Sequence, residues 1–217
     1  MRVRLTLLAV ATATAALLTG TTPALATSAT PAVVLDKGHV DAIDVEYEDG
    51  ALALIVHDES VEPSQEYEPS EVVLKALAGA RTTVPADPSY RFLGAAGAPV
   101  SVLPQTQDPD LLWPGISTEE LTTGVFRSDA VTLRLTGVSG PGKVSVFTTD
   151  SFGAATVLLN SGDGLPDALT QSVGLHEHAS WGFTKPGVYK LTFRATAKLT
   201  DGTAVSSPPA VLTFCVE

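Results

Sequence analysis

The chain has 217 residues, with 24 acidic against 13 basic side chains, a formal net charge of −11, four histidines and one cysteine. That acidity excludes nucleic acid and anionic membrane surfaces as partners and suits the attraction of cations. A lone Cys215 excludes an internal disulfide, so the fold must rest on its apolar core.

Residues 1–26 read as a secretory signal peptide. Arg2 and Arg4 form a basic start, residues 5–18 an apolar stretch rich in Ala, Leu and Thr, and Ala24-Leu25-Ala26 a small-x-small cleavage site. The expected product is secreted, with a flexible start over 27–36 and a folded region over 37–217. No later stretch is apolar for long enough to span a bilayer. The end at Glu217 shows no sorting motif or hydrophobic tail, so the expectation is an extracellular protein without a C-terminal anchor of its own.

Sparse charge, frequent Gly and Pro, and short β-branched runs predict an all-β protein. Residues 40–47 and 51–57 flank Asp49-Gly50, a strong hairpin signal. Residues 58–71, acidic and carrying Pro63 and Pro69, read as a loop, and 72–77 as a strand. Two short strands are expected at 90–93 and 100–103, then a proline-rich loop over 104–115 carrying Trp113, and one helical turn over 117–121. Strands follow at 131–138, 143–148 and 155–160. Residues 170–183 carry two histidines, 188–199 is the longest alternating run, and 204–216 closes the chain. Cys215 is expected to be a small buried hydrophobe. Strands at roughly ten-residue spacing predict an immunoglobulin-like or PKD-like β-sandwich, divisible into packed β subdomains at about 37–125 and 126–217. Pro186-Gly187-Val188-Tyr189 reads as a strand entry whose tyrosine hydroxyl bonds nearby backbone.

His176 and His178 stand in i, i+2 relation, which on a strand presents both imidazoles to one face. His39 and Asp41 share that spacing at the start of the predicted hairpin, and His57 ends its second strand. The antiparallel pairing brings the two regions together with an offset that a bulge can absorb. His39, His57, His176 and His178, with Asp41 as ligand or supporting group, are therefore the candidate metal ligands. Imidazoles with a carboxylate suit a divalent transition metal, zinc first. The competing reading makes the histidines ordinary strand residues and Trp181 core filler. Glu119 and Glu120 are expected to be solvated. No G-x-S-x-G, H-E-x-x-H, P-loop or dinucleotide fingerprint occurs, so the chain reads as non-enzymatic.

Several segments carry a family resemblance: Gly38-His39-Val40-Asp41, Phe92-Leu93-Gly94-Ala95, Val102-Leu103-Pro104-Gln105, Leu112-Trp113-Pro114-Gly115, Val144-Ser145-Val146-Phe147 after Gly140-Pro141-Gly142, His176-x-His178-x-x-Trp181-x-Phe183-Thr184 and Pro186-Gly187-x-Tyr189. In order along the chain, they resemble the actinobacterial surface-anchored protein domain of choice-of-anchor M proteins. The resemblance implies a secreted or wall-attached protein working beside an ABC transporter of the metal-uptake type. Its partner would then be the transporter's substrate-binding component or another envelope protein. The alternative is an adhesion or interaction module for a cell-wall polymer, a haem-like ligand or a protein, with Trp113 and its loop as the contact surface.

Overall fold

The computed structural model describes residues 32–217. The expected signal peptide and cleavage site lie outside the described residues. The fold is all-β and sandwich-like. Its strands are β1 (Val33–Leu35), β2 (Gly38–Glu48), β3 (Ala51–Asp58), β4 (Gln65–Tyr67), β5 (Val72–Ala76), β6 (Arg81–Thr83), β7 (Pro99–Leu103), β8 (Leu112–Ser117) and β9 (Ala130–Ser139). The remainder are β10 (Val144–Thr149), β11 (Ala155–Asn160), β12 (Asp167–Ser172), β13 (His176–His178), β14 (Ser180–Phe183), β15 (Gly187–Lys198), β16 (Ala204–Ser206) and β17 (Ala210–Val216). Val33–Leu35, within the stretch expected to be flexible, pairs in parallel with β5.

Three sheets result. A seven-stranded sheet runs β1-β5-β17-β15-β9-β12, with β16 beside β15. One five-stranded sheet runs β11-β10-β14-β7-β6, and the other β13-β8-β2-β3-β4. The seven-stranded sheet takes strands from both sides of residue 125. One apolar cluster draws on all three sheets, with Trp181, Tyr189, Phe126, Phe183, Phe193 and Phe214 fully buried. Such aromatics dominate core energetics because each removes a large apolar area from water. Tyr189 Oη donates to the Lys185 carbonyl at 2.7 Å, as its strand-entry motif predicts.

The Asp49-Gly50 hairpin forms as read. Both turn residues have positive φ, 50° and 83°, the requirement of a tight hairpin turn whose twist matches its strands. Glu48 pairs with Ala51, but a bulge between Asp41 and Asp44 shifts the far end by one residue. Asp41 consequently faces His57, and the His39 carbonyl accepts from Glu59 N–H at 3.1 Å.

Four local expectations are corrected. Residues 90–93 fall in a 3-10 helix, Pro88–Leu93, because Asp87 caps Ser89 N–H and Pro88 fixes the first helical φ. Leu112–Ser117 is a strand rather than the tail of a loop. Pro114 is tolerated there because β13 pairs only from Gly115 onward, so no ladder bond is asked of the missing N–H on that side. Residues 117–121 make a single turn, closed by Leu121 N–H to the Thr118 carbonyl at 3.1 Å, and not a helix. Cys215 is half-buried, because Leu212, Phe214 and Val216 take the core face of β17.

Candidate metal centre

Three neighbouring strands build the site: β13, β8 and β2. In register, Gly115 of β8 lies opposite Asp41 on one side and His178 on the other. A side chain at that position would fill the space between them. A Cβ placed on Gly115 would stand 2.1 Å from Asp41 Oδ1, 3.1 Å from His178 Cε1 and 3.3 Å from His176 Nε2. The absent side chain is therefore what lets the carboxylate and two imidazoles meet over the strand.

Thr118 sets the position of β13. Its hydroxyl donates to the Ser172 carbonyl at 2.6 Å, and its N–H donates to the Leu175 carbonyl at 2.9 Å. The link between β12 and β13 is thereby tied to the end of β8, which fixes where His176 and His178 fall.

His39, Asp41, His176 and His178 each offer one ligand atom within 4.8 Å of the others. The Nε2 atoms of His39 and His176 are 3.1 Å apart. Asp41 Oδ1 lies 2.8 Å from His176 Nε2 and 3.6 Å from His39 Nε2. Tetrahedral zinc with bonds of about 2.0–2.1 Å separates its ligand atoms by roughly 3.3 Å. The three observed spacings bracket that value.

Outside the cluster, carboxylates hold the other ring nitrogens. His39 Nδ1 contacts Glu59 Oε2 at 2.5 Å, and His176 Nδ1 contacts Glu119 Oε2 at 2.9 Å. An imidazole that donates Nδ1–H to a carboxylate carries its lone pair on Nε2, the arrangement common around protein-bound metals. Trp113 stacks on His178 with ring centres 3.6 Å apart and planes 11° from parallel. Its indole N–H is committed to the Gln105 carbonyl at 2.7 Å.

The electrostatics point inward. Asp41 is 2 % exposed, yet its Oδ1 meets hydrogen-bond geometry with no partner. Among the described residues four buried side-chain polar atoms are in this position, and His178 Nδ1 and Asp44 Oδ1 are two of the other three. Buried polar atoms without partners are few in native proteins, and a missing ion is one recognised reason for them. A proton can partly play the cation's role. The pKa of His39 is raised above the ordinary imidazole value, chiefly by its polar contact with Asp41 and against the effect of burial. His178 is pushed down to about 4 by burial and by the charges of His39 and His176, so it stays neutral and able to ligate.

Of the five residues expected as ligands, the structure joins His39, Asp41, His176 and His178. The three ring centres lie 4.7–5.1 Å apart. His57 stands beside this group, across from Asp41, in a second set with Asp41 and Glu59. Its Nδ1 lies 3.7 Å from Asp44 Oδ2. Glu59, and the supporting roles of Glu119, Trp113 and Gly115 at this cluster, escaped the sequence reading. Glu119, expected to be solvated, contacts His176, and only the tertiary fold brings it there. Comparisons with known protein families, curated proteins and solved structures find no match to the chain.

Proposed function

We propose that this chain is a secreted, non-enzymatic metal-binding protein that captures zinc or a similar divalent transition metal. It delivers the ion to the substrate-binding component of an ABC uptake system. One observation carries the metal reading. Two imidazole lone pairs and a buried carboxylate oxygen converge within 2.8–3.6 Å, while the far side of each of those rings is held by another carboxylate. Acceptor atoms at that spacing repel one another unless a proton or a metal ion lies among them. Three neutral imidazoles with one carboxylate form a donor set suited to zinc, and a carboxylate of this kind extends the range toward manganese.

The transporter partner rests on the family resemblance, which implies a place beside metal-uptake systems. The acidic chain supports the capture role, because it raises the local concentration of cations.

The test is metal analysis and thermal melting of the purified chain against the His176→Ala/His178→Ala double variant. Wild type is expected to retain zinc through dialysis and to melt at a higher temperature when zinc is added, and the double variant to do neither. Equal metal content and equal thermal response in the two proteins would sink the proposal.

A further inference from the structure

We propose that Asp41 bridges two cations, the second of which is held by His57 and Glu59 on the hairpin side of the first. The inference rests on the metal reading above. It starts from geometry: Asp41, His57 and Glu59 also offer ligand atoms within 4.8 Å of one another, so Asp41 belongs to two donor sets at once. A carboxylate has two oxygens and can serve one ion with each. Glu59 contacts His39 through Oε2, and its second oxygen can serve the second ion.

The bulge in β2 adds the independent observation. Asp41 and Asp44 are three residues apart, but they pair with Gly115 and Ser117, two apart on β8. The extra residue turns Asp44 to the same face as Asp41, where an unbulged strand would point it away. Asp44 is 2 % exposed, its Oδ2 lies 3.7 Å from His57 Nδ1, and its Oδ1 has no hydrogen-bond partner. A buried carboxylate with a free oxygen thus stands beside His57.

Charge balance points the same way. The ion pairs of Asp41, Asp44, Glu59 and Glu119 among the described residues are all with histidines, and none is with lysine or arginine. A single dication among three imidazoles balances two of these four carboxylates, and a second ion near His57 would balance the other two. The two positions differ in chemistry. The first is rich in nitrogen and suits zinc. The second has one imidazole among carboxylates and also accepts the harder Mn²⁺.

Zinc titration of the chain followed by native mass spectrometry tests this. Wild type is expected to load two ions in separate steps. His57→Ala should keep the first and lose the second, and His178→Ala should lose the tighter step. A wild-type plateau at one ion would overturn the inference while leaving the capture reading intact. A wild type that loads none would overturn both. His57→Ala loading like wild type, or losing both ions together, would also overturn it. The wild-type count needs no variant, so a misfolded variant cannot leave the question open.

Discussion

His176–His178 and Ser180–Phe183 are separated by a single residue, Ala179, yet they belong to different sheets and opposite environments. In β14, Trp181 is fully buried, stacked on Phe214 at 5.3 Å and edge-on to Phe193 at 6.3 Å. Its one unsatisfied group is the indole N–H. In β13 His176 and His178 are half-buried: His176 Nδ1 reaches Glu119, its Nε2 meets His39 Nε2 and Asp41 Oδ1, and His178 Nδ1 has no hydrogen-bond partner. The core strand gains from apolar area removed from water. The site strand gives up that gain and gathers polar atoms instead, an arrangement that would suit a ligand better than it serves stability.

The sharpest way to test the contrast is to empty the core side. Trp181→Ala is expected to cost about 3–5 kcal/mol of stability in the zinc-free protein, read by urea unfolding. A cost below about 1 kcal/mol would mean the residue is not the core anchor its burial implies. Next comes the floor of the site. Gly115→Ala places a methyl group against Asp41 Oδ1. It should cost about 1–3 kcal/mol through overpacking and abolish the zinc-induced rise in melting temperature. A variant that still responds fully to zinc would remove Asp41 from the centre. The smallest effect is expected at the rim. Glu119→Gln keeps shape but weakens the hold on His176 Nδ1, and should lower zinc affinity about 10–100-fold with the zinc-free urea midpoint unchanged. Unaltered affinity would return Glu119 to the role of a solvated surface charge.

Much of the fold was legible because its signals are local. Alternation marked β9 and β15, and Asp49-Gly50 marked the hairpin. The half-sites were legible for the same reason, since i, i+2 spacing on a strand fixes a shared face. What joins the halves was not. Pro114 and Gly115 look like loop residues in sequence, yet in the fold they pair with Val40 and Asp41 of β2. The assignment of β12, β13 and β14 to three different sheets depends on Thr118 and other contacts far away in the chain. Glu59 and Glu119 reach their histidines through that same tertiary placement. The one-residue bulge that sets His57 opposite Asp41 is announced by no residue type in 41–44.

His39 and His176 stand 137 residues apart in sequence while their Nε2 atoms nearly touch. With one cysteine, the chain has no cystine to fasten such distant segments. An ion gripped by both rings would act as a reversible cross-link closing most of the polypeptide into a loop. Because the two segments meet only in the folded chain, the ion would add stability in proportion to its supply, about 2.7 kcal/mol at a hundred times its dissociation constant. The loaded protein would resist proteolysis and the depleted one would yield to it, so its working lifetime would itself report how much metal its surroundings contain.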